Sequence, residues 1–480
     1  MLHSFQREAI YSELADIVGP AYVSTQESER LIYTGDWSWM SQMWLDRGER
    51  PPLPDFIVHP GSAAEIGRVM RVAASHSLPV VPWGGGSGTQ GGAAPLYGGM
   101  VLDTKRLDRI LEIDERSLTV RAQSGVIGTT LEWALNERGL TLPHYPASAN
   151  CATLGGYLAA RGSGVISTKY GKAEDMVLTI EIVLPSGAVV RTLPTPNHAS
   201  GPGLLQLFVG SEGTLGVITE ATMRVERLPE ARLFRAVLFK DLGAAIEAGR
   251  RIMTDRLQPC VLRLYDPAST TAMIKRVLGL DAEGACFVIG FDGWAEIAAA
   301  QERRALAICA ELDGADLGRE PGEHWWQHRY DFYYPPLALA LPKLYGTTDT
   351  VCTYDKLERL YTGKKHAIEE EFGAWGARYI AHFSHWFPWG AMIYDRFIID
   401  APPQNPREAL QLHNRIWTTA ARTSLEHGGL LNEHHGIGWK LGRLMPEQHA
   451  TAWPLLTDIK ALIDPHNIMN PGKLGFPAKL

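Results

Sequence analysis

The sequence predicts an α+β protein of two unequal domains, with a C-terminal tail that returns to the first. Three observations predict it. Short apolar strands and amphipathic helices interleave without the strict strand–helix alternation of a parallel sheet. A glycine-rich run at 82–92 sits between two strands, Val80-Val81 before it and Met100-Val101-Leu102-Asp103 after it, with no helix between. A chain of 480 residues holds roughly two to three domains on size alone.

The elements follow in order. Residues 1–50 read as a helical entry segment in which Tyr33, Trp37, Trp39, Met40 and Trp44 pack on the body of the protein. Pro51-Pro52-Leu53-Pro54 is a stiff linker. Residues 55–58 form a strand, and 61–75 a helix with Ile66, Val69, Met70 and Ala73 on one face. Residues 117–122 alternate as a strand, and 129–139 make a helix that ends at glycine. Residues 177–184 and 188–192 pair as a hairpin over Pro185-Ser186-Gly187. Pro229-Glu230 marks a boundary. Beyond it, strands at 234–239, 260–265 and 286–291 and helices at 242–255 and 297–312 make a second α+β unit. A helix at 454–463 belongs to the tail. The expected organisation is an entry segment at 1–50, a first domain at 51–229, a second at 230–434 and a tail at 435–480.

Composition excludes several classes. A hydrophobic content of 45% with 21% charged residues is that of a globular protein. A net charge of −7 argues against nucleic acid or an anionic membrane as principal partner. No run approaches 18 apolar residues, so no membrane span is expected. Five scattered cysteines without a C-x-x-C pair predict reduced thiols. With a polar N-terminus this places the chain in the cytoplasm. Ala478-Lys479-Leu480 approximates a peroxisomal address and supplies the alternative.

Gly86-Ser87-Gly88-Thr89-Gln90-Gly91 matches the G-x-G-x-x-G dinucleotide fingerprint by letter. That fingerprint requires a helix to start in the loop. Pro95, Gly98 and Gly99 forbid one. The loop is instead read as a backbone nest for a pyrophosphate, or as an ordinary surface loop. Pro146-Ala147-Ser148-Ala149-Asn150-Cys151-Ala152-Thr153-Leu154-Gly155-Gly156 and Gly210-Ser211-Glu212-Gly213-Thr214-Leu215-Gly216 are similarly rich in small residues. His434-His435-Gly436-Ile437-Gly438 and the block 464–475 complete the series.

Together these segments resemble the vanillyl-alcohol oxidase and p-cresol methylhydroxylase superfamily over roughly residues 50–475. Within it the chain is most similar to the alkyldihydroxyacetonephosphate synthase branch and its bacterial oxidase relatives, through 261–266, 390–394 and the paired histidines. The resemblance implies a two-subdomain PCMH-type FAD-binding domain, an α+β cap for the substrate and FAD as a non-covalent cofactor. It implies that Pro82, Trp83, Gly84, Gly85, Gly86, Ser87, Gly88, Thr89, Gln90, Pro146, Ser148, Thr153, Gly155, Gly156, Ser163, Gly164, Tyr170, Glu212, Gly216 and Ile218 line the flavin. Tyr394 falls where the synthase has its catalytic tyrosine, and Arg263 on its anion-binding arginine. His434 and His435 join them as catalytic candidates. Adjacent histidines on a strand point to opposite faces, so one is expected at the flavin and the other behind it.

The implied function is an FAD-dependent oxidase or dehydrogenase taking hydride to flavin N5 from an alcohol carbon of an aromatic or hydroxy-acid substrate. The alternative is an alkylglycerone-phosphate synthase-like transferase without net redox. Oxygen or a separate acceptor would take the electrons, and a homodimer is possible. Two departures weigh on these readings. The synthase carries three consecutive histidines where this chain has Glu433-His434-His435, and Thr353-Tyr354-Asp355-Lys356 places a lysine at its second substrate arginine. The Tyr-Arg pair of phenol oxidases is replaced by Lys440 and Arg443. His382 and His385 form a second histidine pair, but the metal-dependent relatives' histidine motif is absent, so no metal is expected. Trp325, Trp326, Tyr330, Phe332, Tyr333, Tyr334, Tyr345, Trp386, Phe387 and Trp389 make the cap aromatic, either as pocket wall or as core and interface.

Overall fold

The computed structural model describes residues 4–279, 283–331 and 343–478. Three sheets organise it, beside a two-stranded pair of Leu140–Thr141 with Glu226–Arg227. The first has four strands in the order Val23–Ser24, Phe56–Val58, Met100–Asp103, Val80–Trp83. Its last two strands run parallel although only the glycine-rich loop joins them. Helix Ala63–Ser75 packs on this sheet. Ser62 caps it by accepting from the Glu65 amide, and Glu65 accepts from the Gly61 amide in return. The expected face of Ile66, Val69, Met70 and Ala73 is buried.

The second sheet is antiparallel, in the order Ile110–Asp114, Thr119–Gln123, Val217–Arg224, Val177–Val183, Val189–Arg191. It contains the expected hairpin over 185–187. The third sheet is larger and antiparallel. Its order is Ala315–Gly318, Ala231–Phe239, Ala285–Gly293, Val261–Tyr265, Arg378–Phe387, Gly390–Ile399, Leu344–Thr347, with Thr350–Thr353 also pairing to Gly390–Ile399. Helices Leu242–Thr254, Ala295–Glu311, Tyr354–Glu371 and Pro406–Glu426 bury their apolar stripes in the core of this unit. Sheet period then fixes the other face: Arg263 and Tyr265, His382, and Tyr394 and Arg396 project from neighbouring strands on the side away from that core.

The tail returns as expected. Val80 donates its amide to the Ile468 carbonyl at 2.7 Å, and the Asn470 amide returns to Val80 at 2.8 Å. Lys460, on helix Trp453–Ile463, donates from Nζ to the carbonyls of Thr214 (2.8 Å) and Met469 (3.0 Å) and pairs with Asp464. Lys473 donates to the carbonyls of Gly91 and Ala94, both at 2.7 Å, so a buried ammonium braces the glycine-rich loop from behind. The tail also contributes Leu441, Leu444 and Met445 to the core of the cap. All five cysteines are free. Among the described residues no helix is long and apolar enough to cross a membrane.

Several of the cap aromatics serve as core. Trp325 is fully buried and donates from Nε1 to the Tyr265 hydroxyl at 2.8 Å. Trp326 stacks on Phe234, Trp386 lies in the main core, and Phe387 stacks on a half-exposed Trp389. Among the described aromatics of this set, Tyr330 and Tyr345 face the cavity described below. Phe332, Tyr333 and Tyr334 lie outside the described residues, as do Lys479 and Leu480.

Candidate active site

A cavity of about 490 Å³ runs between the first two sheets and the cap. Every proposed flavin-lining residue except Tyr170 contributes to its wall, and so do Arg263, Tyr394, His434 and His435. Tyr170 is a correction. Its hydroxyl donates to Asp292 Oδ1 at 2.8 Å, where Lys169 also pairs, so it belongs to the joint between the first domain and the cap.

The loop at one end is built for close approach. A Cβ on Gly84 would collide with Thr153 Oγ1, and one on Gly85 with the Cys151 carbonyl. Gly86 holds φ +62° and faces Trp83. Thr153 caps helix Leu154–Ala159 by accepting from the Gly156 amide at 3.2 Å. Thr89 Oγ1 and both amide atoms of Gln90 are buried without a hydrogen-bond partner, donors and acceptors awaiting a polar ligand. These features fit a flavin dinucleotide. Glu212 holds the loop to the tail: its carboxylate accepts from the amides of Ile437 (2.5 Å) and Gly438 (2.8 Å). Burial pushes its carboxyl up to about 7 against those two bonds.

The other end is a histidine–carboxylate cluster. Asp349 sits in the turn between Leu344–Thr347 and Thr350–Thr353. A buried network fixes that turn. Lys364 pairs with Asp395 at 2.6 Å and donates to the Thr348 carbonyl, while Thr348 and Tyr379 hydroxyls donate to Asp395. Asp349 Oδ2 then accepts the amides of Glu433 (2.9 Å) and His434 (3.0 Å). Its Oδ1 meets His435 Nδ1 at 2.7 Å, and His434 Nδ1 lies 3.1 Å from Oδ2. The expectation that the adjacent histidines point apart is overturned. Residues 433–435 are bends, followed by Gly436 at φ +78°, so both imidazoles turn toward one carboxylate and their centroids lie 3.8 Å apart.

Charge in this cluster is assigned by its surroundings. Burial disfavours the Asp349 anion, but His435 and His434 outweigh that and hold its carboxyl well below the usual range. Glu433 is likewise held low, against burial, by His385 at 2.8 Å and Lys172 at 3.2 Å. Burial works against the His434 cation, yet Asp349 and Glu433 raise it to about 9. His435 is lowered by burial and by the neighbouring His434 charge. One imidazolium and one ammonium thus balance two carboxylates. A neutral His435 that donates from Nδ1 to Asp349 presents Nε2 as an acceptor.

Tyr394 closes the cluster. Its ring stands edge-on to His435 at 5.2 Å and stacks on His382 at 4.6 Å. Burial and the Arg263 guanidinium keep His382 neutral, and its Nε2 accepts from Arg263 Nη2 at 2.8 Å. A register shift between Phe383 and Trp386 lets both Ser384 and His385 reach the cavity from one strand. Sequence reasoning missed Asp349, Lys172, Arg396 and His144. His144 lines the cavity with both ring nitrogens unpartnered, and burial lowers it to about 3. Only its place two residues before Pro146 hinted at it.

Conversely, Lys356 is not among the lining residues, and neither are Lys440 and Arg443. Lys440 is buried over the Trp417 ring at 4.2 Å, and Arg443 donates to the Lys440 carbonyl.

Residues 54–193 match the family model described as an FAD binding domain, and 228–474 that of the FAD linked oxidases C-terminal domain. The chain is 30% identical to alkyldihydroxyacetonephosphate synthase of Dictyostelium discoideum over 96% of its own length and 80% of that protein's. It is 28% identical to glycolate oxidase subunit GlcD of Bacillus subtilis, covering 97% and 96%. The solved structure of p-cresol methylhydroxylase superposes with a TM-score of 0.79 at 16% identity, covering 99% and 98%, a likeness of fold. With the loop and cavity just described, these matches make the chain an FAD-binding enzyme that belongs to the FAD-linked oxidase family.

Proposed function

We propose that the protein oxidises the alcohol carbon of a hydroxy-acid or aromatic substrate. The observation that supports this reading is the convergence of Tyr394, His435 and Arg263 on the cavity that also contains the glycine-rich loop. FAD, when bound, supplies a hydride acceptor. The chain's residues do the rest. Arg263, oriented by His382, clamps an anionic group through its planar fork. His435 Nε2, with its tautomer fixed by Asp349, accepts the hydroxyl proton directly or through Tyr394. The His434 imidazolium holds positive charge beside an oxygen that becomes more basic as it loses that proton. FAD is held without a covalent link, and the electrons leave to oxygen or to a separate acceptor.

Similarity to alkyldihydroxyacetonephosphate synthase supports a second reading, a transferase without net redox. Glu433, bound to His385 and Lys172 where that enzyme is expected to have histidine, and Lys356, away from the cavity wall, weigh against it. Anaerobic mixing with a library of 2-hydroxy acids and aromatic alcohols separates the two. Bleaching of the yellow protein, restored by air or an acceptor dye, supports the oxidoreductase. Exchange of an acyl for an alkyl chain with no bleaching by any alcohol would overturn it.

A further inference from the structure

The two matched domains do not complete the wall of the cavity. The FAD-binding match begins at residue 54, yet Asp36, Trp37 and Trp39 line the cavity from the segment before it. That segment is tied to both halves of the molecule. On the first domain, Arg30 donates to the Pro54 carbonyl at 2.5 Å, and the Tyr33 hydroxyl donates to Asp103 Oδ2 at 2.6 Å. On the cap, Trp39 donates from Nε1 to the Lys343 carbonyl at 3.1 Å and stacks on His413 at 4.5 Å. Arg47 donates to the Gln404 carbonyl at 2.6 Å. Between these anchors the chain passes against the glycine-rich loop, where a Cβ on Gly88 would lie 3.4 Å from Asp36 Oδ2. Asp36 is 2% exposed. Its Oδ1 accepts the Ser38 amide at 3.1 Å, but its buried Oδ2 has no hydrogen-bond partner among the described residues. Lys440 and Lys473 act on this carboxylate through space only: Lys473 spends its donors on the Gly91 and Ala94 carbonyls, and Lys440 Nζ has no acceptor among the described residues.

We infer that the N-terminal segment is part of the cofactor site, and that Asp36 Oδ2 accepts a hydrogen bond from the flavin half of bound FAD. A buried carboxylate oxygen left unpaired is costly, and this one lines a cavity built for a ligand. A carboxylate repels the pyrophosphate, so its partner is a neutral donor. The flavin half offers two kinds, the ring N3–H and the ribityl hydroxyls. Position favours that half over the adenosine half. The Gln90 carbonyl accepts the amides of Trp439 and Lys440, at 3.1 and 3.3 Å, so Asp36 stands where the glycine-rich loop meets the tail turn that follows His435. The inference concerns how the cofactor is held and is independent of the reaction it serves.

The intact holoprotein tests this without substrate. Release of FAD is read as recovery of flavin fluorescence on dilution, and the midpoint potential of the bound flavin is measured beside it. Asp36→Ala should release FAD about ten- to a hundredfold faster, the range for a hydrogen bond to a charged group. Asp36→Asn keeps an acceptor oxygen and should fall between it and wild type. Both variants should raise the midpoint potential, because an anion removed from beside the flavin no longer opposes the electron-rich reduced form. Arg47→Ala frees the same segment from Gln404 without altering the cavity wall, so it should leave the potential unchanged. Exchange of the holoprotein into 3-methyl-FAD identifies the donor. Wild type that releases this analogue as fast as Asp36→Ala releases FAD assigns the bond to N3–H, and wild type that holds it as tightly as FAD assigns it to a ribityl hydroxyl. An unchanged potential in Asp36→Asn overturns the inference, even where Asp36→Ala does not fold. An Arg47→Ala protein that matches Asp36→Asn in both release and potential also overturns it, since the segment would then act as a strap alone.

Discussion

Replacing Asp349 with asparagine removes the charge that His434 and His435 share while keeping the side chain's size. In the native protein His434 rises from 6.5 to about 9, despite burial, because Asp349 and then Glu433 face it. A histidine raised in this way contributes stability that is complete below 6.5 and is lost as pH climbs through 9. At 1.36 kcal/mol per unit, the interval from 6.5 to about 9 corresponds to about 3 kcal/mol. Breaking a buried pair costs roughly 3–5 kcal/mol. Asp349→Asn should therefore be destabilised by about that amount at pH 6, and the gap to wild type should narrow by up to about 3 kcal/mol by pH 9.5. Urea unfolding at fixed FAD concentration, at half-unit steps from pH 6 to 10, measures it. Lys440 and Lys473, lowered by burial to about 7 and about 8, act with the opposite sign, but they are present in both proteins and cancel in the difference. A gap that stays constant over this range would show that Asp349 does not hold a proton on His434.

Three further outcomes follow from the same geometry. Gly86→Val places a branched side chain at φ +62° against Trp83, so the purified protein should be colourless, read as flavin absorbance per chain. Tyr394→Phe should stay yellow while flavin reduction slows by about 10²–10⁴-fold, the usual cost of a positioned proton carrier, as stopped-flow absorbance would show. Lys460→Met leaves the buried Asp464 carboxylate on the Ile468 and Met469 amides without its ammonium and frees the Thr214 and Met469 carbonyls, so it should cost roughly 3–5 kcal/mol in urea unfolding.

How far the sequence was legible depended on whether a feature is local. The loop at 84–92 could be read as strand–loop–strand because Pro95, Gly98 and Gly99 forbid a helix, and the structure places parallel strands on either side. Helix 61–75 was legible from its apolar stripe and its serine cap. Asp349 was not: it is one aspartate in a threonine-rich turn, and its partners lie more than 80 residues further on. Lys172, which reaches Glu433 across 261 positions, carries no local signal either. The histidine pair was visible but misdirected, since strand alternation does not govern a bend. The aromatic richness of the cap was ambiguous, because pocket walls and cores use the same residue types; burial of Trp325 and Trp386 resolves it for those positions.

In the proposed reaction Tyr394 and His435 take up the hydroxyl proton of a substrate whose carbon gives hydride to the bound flavin. Single-turnover anaerobic reduction with 2-hydroxy acids, protiated and deuterated at the hydroxyl-bearing carbon, tests it most directly. The flavin should bleach, deuterium should slow the bleaching, and Tyr394→Phe and His435→Asn should slow it further with the flavin still bound. Bleaching that is indifferent to both substitutions, or none with any hydroxy acid or aromatic alcohol, would contradict it.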